Sequence, residues 1–266
     1  MITKTKRLIL RPWVEADAEE CYRYAKDPDV GLPAGWQPHT SVEYSRMIIN
    51  SVLSKPETYA IVLKETGLPI GNIALRFHSD LAEFDDECEI GYWLGKPYWG
   101  QGIMPEAATE LIRRAFEDLG LQRVWGGYYD GNEKSKRVQE KCGLKHMWTS
   151  ENVPVPDLGE FRVGHVNCIT KKEWQEQRIS RFENILDELS AAVKDLDFAL
   201  EAYEKLKPRL NELKEYYESS LWRKDFEDDG AGRLPKDLKR GVLSEDAVYD
   251  LLDNIKELEI RGKNVF

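Results

Sequence analysis

The chain has 266 residues, 41% of them hydrophobic, and a formal net charge of −10. That is enough chain and enough apolar content for one large or two smaller cored domains. Acidic residues outnumber basic ones both in the first 170 residues and in the remainder, which argues against nucleic acid as the main partner.

Residues 2–11 alternate as a strand does, and Pro12 ends the run. Residues 15–26 read as a helix with Ala18, Cys21, Tyr22 and Ala25 on one side, closed by Asp27-Pro28. From Gly31 to His39 runs a loop of turn residues, of the kind that borders a cleft, with Trp36 read as a plug in a groove. Thr40-Ser-Val-Glu43 has the form of a capping box and predicts a helix to about residue 54. Residues 58–64 and 70–77 are β-rich runs separated by Thr66-Gly-Leu-Pro69, a hairpin signal. An acidic loop follows over residues 79–86.

Residues 88–95 form an apolar strand, 96–102 a loop with Gly100 and Gly102, and 104–119 an amphipathic helix with Ala108, Leu111, Ile112, Ala115 and Phe116 on one face. Strand, tight loop and helix in that order aim free backbone N–H groups and the positive end of a helix at one spot, which suits phosphate. Glycine at 100 and 102 lets the backbone approach an anion closely. Residues 121–129 read as another strand and 132–142 as a short helix stopped by Gly143. Residues 145–149 and 161–169 look like a closing antiparallel pair, joined by a loop holding Pro154, Pro156 and Gly159.

After Trp174 the pattern changes. Ile179, Phe182, Leu186, Leu189, Val193, Leu196, Leu200 and Tyr203 recur in steps of three and four, a heptad seam of coiled-coil type. Pro208 is placed to start a second helix carrying Leu210, Leu213, Tyr217 and Leu221 along one side. Residues 225–241 read as a charged loop. Its cluster Asp225, Glu227, Asp228 and Asp229 lacks the alternating spacing of a calcium loop. Ser244 caps a third helix to about residue 258, with Val248, Leu251, Leu252 and Ile255 inward. Residues 1–174 and 175–266 are therefore expected as two domains.

Several of these stretches, in order, resemble one superfamily. They are Thr5-Lys-Arg-Leu-Ile-Leu-Arg-Pro-Trp13, the Glu89–Ala107 segment with Gly100-Gln-Gly102, Asn132-Glu-Lys-Ser135 and Lys141-Cys-Gly-Leu144. Together they resemble the GNAT acyl-CoA N-acyltransferases, in particular the ribosomal-protein-alanine N-acetyltransferase branch. The resemblance covers residues 3–174. It implies an α/β (α+β) fold, a mixed and mostly antiparallel sheet flanked by helices and splayed between the strands at 88–95 and 121–129. The tail adds a separate all-α domain. It resembles an uncharacterised bacterial helical family through Tyr216-Tyr217, Trp222-Arg-Lys-Asp225-Phe-Glu, Leu234-Pro235 and Leu238-Lys-Arg-Gly-Val-Leu-Ser-Glu-Asp246.

The resemblance implies acetyl-CoA as co-substrate, with an amine acceptor that is a peptide N-terminus or a small molecule. Backbone amides of Gly100, Gln101, Gly102, Ile103 and Met104 would hold the diphosphate, although Pro97 departs from the family's first loop position. A backbone donor near Trp93 or Leu94 would face the oxyanion. Asn132 would contact the pantetheine arm, a role compatible with N-capping. Gln139 occupies the position where many relatives carry an acidic tyrosine. Ser135 is therefore the expected donor to the leaving sulfur, as in the alanine-acetylating branch. Glu89, Glu87 or a water is left as the base, since the two carboxylates alternate onto one face of a strand. An α-amine titrates near about 8, so a weak base suffices.

A second reading is a CoA-binding adaptor of little activity, whose helical tail mediates protein contacts. A homodimer through that tail fits either reading. A nicotinamide-dinucleotide site is weaker, because Pro105 stands where the third glycine of its fingerprint belongs. The four cysteines, Cys21, Cys88, Cys142 and Cys168, and the four histidines show no metal spacing, so no metal is expected. Reduced thiols, no signal segment and no apolar run of spanning length predict a cytoplasmic protein without membrane attachment.

Overall fold

A computed structural model describes residues 2–265. The chain divides into two compact units, Met1–Glu183 and Asn184–Phe266.

The first unit is built on an eight-stranded sheet. Its strands are β1 (Thr3–Lys4), β2 (Leu8–Arg11), β3 (Thr58–Leu63), β4 (Pro69–Arg76), β5 (Glu87–Leu94), β6 (Arg123–Tyr129), β7 (Lys145–Val155) and β8 (Glu160–Thr170). They lie in the order β1-β2-β3-β4-β5-β6-β8-β7. Every neighbouring pair is antiparallel except β5 and β6. A helix joins those two strands, and such a crossover is what a parallel pair requires.

Two expectations about strands need correction. Residues 2–11 are two strands, because Thr5 turns the chain back on itself. Its N–H donates to the Leu8 carbonyl at 3.0 Å, and its hydroxyl accepts from the Leu8 amide at 3.0 Å. Residues 150–155 are strand rather than loop, paired with β8 as far as Val155 opposite Glu160. Two register shifts interrupt that pairing. Pro154 is accommodated because β7 is the outermost strand, where a missing donor breaks no inner ladder.

Helices cover both faces of the sheet. On one lies α4 (Ile103–Arg113), which ends in a wider π-helical turn, Arg114–Asp118. Its Ala107, Ala108, Leu111 and Ile112 meet Leu8, Leu10, Ile61, Ile73, Leu75, Cys88 and Ile90. On the other lie α1 (Ala18–Ala25), the four-residue α2 (Pro28–Gly31) and α3 (Val42–Ile48). There Trp13, Ala18, Cys21, Ala25, Ile49 and Leu53 pack over Ala60 and Val62. The alternation of Ala60 and Val62 with Ile61 sends neighbouring side chains of β3 to opposite layers. α1 starts later than expected because Asp17 accepts from Val14 N–H and pairs with Arg11. The cap of α3 is Ser41, one residue past Thr40, and accepts from Tyr44 N–H at 3.1 Å. α5 (Glu133–Lys141) follows β6. All four cysteines are buried free thiols.

α6 (Lys171–Tyr217) is one helix of 47 residues with Pro208 inside it. The expected break at Pro208 is absent: α6 continues through it, although interior proline removes one backbone bond and crowds the carbonyl four residues earlier. α7 (Ser220–Gly230) is capped by Ser219, so residues 225–230 are helix and not loop. There Asp225 accepts from the Tyr216 hydroxyl, while Asp228 and Asp229 pair with Arg233 and Arg240. Trp222 anchors this corner, donating to the Val242 carbonyl at 2.8 Å between the rings of Tyr217 and Phe226. α8 (Glu245–Val265) runs past residue 258. Its Val248 is buried, but Leu251 is exposed rather than inward. The seam residues from Ile179 to Leu200 are exposed along α6.

Trp13 donates its indole N–H to the buried Asn72 Oδ1 at 2.9 Å. Trp13→Phe keeps an aromatic ring, removes the indole N–H and some buried volume, and orphans that acceptor. It should cost about 1–3 kcal/mol, a fall of several degrees in a thermal melt. An unchanged melting temperature would show that this bond contributes nothing.

Candidate active site

The parallel pairing of β5 and β6 stops almost as soon as it begins. Glu87, Cys88 and Glu89 lie opposite Arg123, Val124 and Trp125, and there the register ends. β5 runs on to Leu94 against β4 alone, and β6 runs on to Tyr129 against β8 alone. The sheet is split from this point. The ladder between β4 and β5 sets which backbone groups face the split. Gly95 N–H donates to the Ile70 carbonyl at 2.8 Å, so Gly95 and, in alternation, Trp93 point toward β4. Tyr92 and Leu94 then point their N–H groups the other way, into the split.

The loop before α4 is held from several sides. Trp99 donates its indole N–H to the Leu94 carbonyl at 2.7 Å. Tyr98 and Tyr24 share a hydrogen bond at 3.2 Å. Gln101 reaches back to the Pro97 carbonyl at 2.8 Å. Gly100 and Gly102 have φ of +75° and +70°, a region in which other residues are strained. Gly102 caps α4, and the first intrahelical bond is Glu106 N–H to the Gly102 carbonyl. The amides from Gly100 to Met104 precede that bond and form the N-terminal cradle.

Two residues brace this cradle: Glu106 reads from the sequence as a helix-start carboxylate suited to the dipole, but its pairing with Arg7 carries no local sequence signal. Arg7, from the turn between β1 and β2, donates to the Gln101 carbonyl at 2.8 Å and to Glu106 at 2.6 Å. Glu106 also accepts from the Thr5 hydroxyl and the Arg7 amide. It is thus a brace between the first hairpin and the helix start, as well as a partner for the helix dipole. Burial alone would raise its carboxyl. The Thr5 hydroxyl, the Arg7 amide and the Arg7 guanidinium outweigh that and hold it below the ordinary carboxylate range.

The second helix beginning lies alongside. Lys134, in the first turn of α5, sets its ammonium 3.9 Å from the Trp99 ring centroid. Asn132 caps α5 by accepting from Ser135 N–H at 3.1 Å, and its amide donates to the Pro33 carbonyl at 3.1 Å. The Ser135 hydroxyl is 3.1 Å from the hydroxyl of Tyr92, which reaches it from β5. Gln139 approaches the same oxygen at 3.4 Å.

The loop over residues 31–39 touches both arms of the split. Trp36 lies 6.1 Å from Trp93 on β5 and 5.5 Å from His39. Gly35, at φ +88°, sits so close to Tyr129 on β6 that a Cβ there would lie 2.9 Å from the ring. Arg162 donates to the Leu32 carbonyl at 2.6 Å. Trp36 is packed as a plug would be, on Trp93 and Gly31.

Both candidate carboxylates are paired. Glu87 is buried, with one oxygen 2.6 Å from Arg123 and the other accepting from the Trp125 indole at 3.1 Å. Glu89 pairs with the half-exposed Arg76. His78 approaches Asp85 at 3.8 Å, and His165 lies among Thr149, Asp130 and Tyr128. Among the described residues no group of three His, Cys, Asp or Glu side chains is placed to hold a metal. No helix there is long and apolar enough to cross a membrane.

Residues 7–145, just over half of the chain, match the Acetyltransferase (GNAT) domain family. The chain belongs to this family. Residues 179–262 match a second family, a domain of unknown function (DUF4298). The GNAT domain is 39% identical over 92 residues to an FsC-acetyl coenzyme A-N(2)-transacetylase of Aspergillus fumigatus, a match that covers 34% of this chain and 38% of that one. It is 44% identical over 100 residues to a putative ribosomal N-acetyltransferase of Bacillus subtilis, covering 37% of this chain and 54% of that one. The chain thus spans about a third to a half of the length of these two relatives. Similarity to the ribosomal protein uS5-alanine N-acetyltransferase of Escherichia coli is more distant but longer. There identity is 22% over 173 residues, covering 65% of this chain and 80% of that one. Among solved structures, a putative acetyltransferase from T. thermophilus superposes with a TM-score of 0.58 at 27% identity, covering 70% of this chain and 96% of that one. The GNAT fold accounts for the splayed, mostly antiparallel sheet, and the helical tail lies outside it.

The brace at Glu106 has a pH signature. Its carboxyl is depressed in the folded state, so its contribution is full above the unfolded value of about 4.3 and is lost as pH falls through the lower folded value. Glu106→Gln should melt below the wild type at pH 7, and the gap should narrow progressively as pH falls below about 4.3. A gap of constant size across that range would contradict the assignment.

Proposed function

We propose that the chain is an acetyl-CoA-dependent N-acetyltransferase that moves the acetyl group directly from the thioester to a primary amine. The observation that carries this reading is the split between β5 and β6, with one helix beginning on each side of its mouth. A thioester carrier has a diphosphate at one end and a sulfur at the other, and the two helix starts offer a place for each. The amides of Gly100, Gln101, Gly102, Ile103 and Met104 would take the diphosphate, with Arg7 beside them. Asn132 and the strand edges would guide the pantetheine arm. The Leu94 N–H faces the split and would meet the oxyanion, whereas Trp93 would contribute its ring to the acceptor side. Ser135 would donate to the departing sulfur. Much of the remaining rate comes from holding amine and thioester together.

The amine loses its proton through a water or through Glu89, which is buried and pairs with the half-exposed Arg76 guanidinium lying against Gly91. Glu87 is less suited, because both of its oxygens are engaged. The acceptor is a peptide N-terminus or a small amine. The relatives named for ribosomal substrates favour the first. Domains at 1–174 and 175–266 and a cytosolic setting complete the reading. The latter is supported by four buried free thiols.

The tail adds a homodimer contact. Its seam is apolar and exposed over more than three heptads, about the length a stable coiled coil needs. A parallel pairing keeps the acidic row Glu183, Asp197 and Glu204 from facing itself.

Titration calorimetry with acetyl-CoA should give a dissociation constant of tens of micromolar or tighter, and Gly102→Val should weaken it at least tenfold without unfolding the protein. Thiol release against a panel of peptides and small amines should then find an acceptor. Ser135→Ala should lower kcat roughly 100-fold with little change in the KM for acetyl-CoA. Absence of any heat with acetyl-CoA would overturn the reading. For the tail, light scattering should report a dimer that Leu189→Lys converts to monomer; a monomeric wild type removes that part.

A further inference from the structure

Tyr92 has a hydroxyl that the family resemblance gives no task. Its strand position points the ring toward α4 and α5, away from the layer of Trp13 and Trp93. From there it reaches across the split to α5, where the side chains of Ser135 and Gln139 face its hydroxyl. Its oxygen lies 3.1 Å from the Ser135 hydroxyl and 3.2 Å from the Ser135 carbonyl. Gln139 donates its amide to the Gly127 carbonyl at 3.2 Å and approaches the Ser135 hydroxyl at 3.4 Å. Burial pushes the Tyr92 phenol up from its ordinary value, which keeps it protonated and therefore a donor throughout the neutral range.

Counting protons shows what this arrangement can do. A serine hydroxyl has one proton and two acceptor lone pairs. When Tyr92 and Gln139 both donate to it, its lone pairs are occupied and its own proton is free to point elsewhere. When Ser135 instead donates to Tyr92, the tyrosine proton goes to the Ser135 carbonyl, and the serine has nothing left to offer a sulfur. The first arrangement is the one a leaving thiolate needs. A donor that is itself hydrogen-bonded is also a stronger donor, because bonds in a chain polarise one another.

We propose that Tyr92 is a positioning residue for the transfer step, donating to the Ser135 hydroxyl so that the serine proton is aimed at the departing sulfur. This rests on the reading of Ser135 given above. In the step itself the amine nitrogen bonds to the acetyl carbon and the carbon–sulfur bond breaks. The electron pair leaves with the sulfur, which the Ser135 O–H meets. The amine proton goes to the base or to solvent and ends on the free thiol. Tyr92 neither touches the thioester nor changes its own protonation.

The test is a double-mutant cycle on the full chain, using the acceptor that turns over fastest. Tyr92→Phe should lower kcat about tenfold or more and leave both the KM and the calorimetric affinity for acetyl-CoA unchanged. In a Ser135→Ala background the same change should cost nothing further. If Tyr92→Phe is as fast as wild type while Ser135→Ala is slow, this inference is overturned and the donor role of Ser135 stands. Equal losses in both backgrounds would mark Tyr92 as packing only and overturn it too. If Ser135→Ala is itself neutral, the donor reading fails and takes this inference with it. Should Tyr92→Phe fold poorly, 3-fluorotyrosine at position 92 keeps the packing and strengthens the donor. It should raise kcat at pH 7, and an unchanged kcat would again overturn the inference.

Discussion

Three residue pairs hold β5 to β6, and then the hydrogen bonding between them ends. The interruption gives the domain its usable interior. An unbroken parallel pair would have spent the backbone groups of Tyr92 and Leu94 on the neighbouring strand, and no edge would be available to a ligand. Interior strands with unspent amides are costly unless something else satisfies them. Here the Leu94 carbonyl is taken by the Trp99 indole. Side chains rather than strands span the gap: Tyr92 to Ser135 below, and the loop over residues 31–39 between Trp93 and Tyr129 at the face. Everything proposed about the thioester depends on that one stretch where two adjacent strands stop pairing.

The parts legible in the sequence were those with a local cause. The strand at β5, the glycine loop and α4 announce themselves because apolar alternation, two glycines and an amphipathic run follow one another. Asn132 reads as a cap from its position alone, and it is one. What escaped were contacts between residues far apart in the chain. Arg7 and Glu106 lie 99 residues apart, and Tyr92 and Ser135 lie 43 apart. Neither pair has any spacing that a linear reading detects. The two carboxylates of β5 looked equivalent by alternation. Only the structure distinguishes Glu87, closed in by Arg123 and Trp125, from Glu89 beside the half-exposed Arg76.

The errors in secondary structure have physical sources. In most cases a residue or run with a strong local preference was overruled by its surroundings, and in one a hydrogen bond turned the chain where the pattern showed no turn. Pro208 reads as a helix start but stays inside a helix of 47 residues, despite the bond it removes and the carbonyl it crowds. Pro154 reads as loop but sits on an outer strand that has no further neighbour to disappoint. Thr5, with little preference of its own, folds residues 2–11 into a hairpin by bonding to Leu8. The acidic run after Trp222 reads as solvated loop but is helical, its charges matched by Arg233 and Arg240.

The sulfur inventory has a practical side. Cys21, Cys88, Cys142 and Cys168 are all buried, and burial pushes their thiols up to between about 11 and 12. At neutral pH almost none is thiolate, and none is presented to a reagent. The folded native chain is therefore a silent background for electrophilic probes. A single cysteine introduced on the surface of α6, for instance in place of the exposed Phe198, would be the one reactive sulfur. A fluorophore or spin label could be attached there with the natural cysteines left in place.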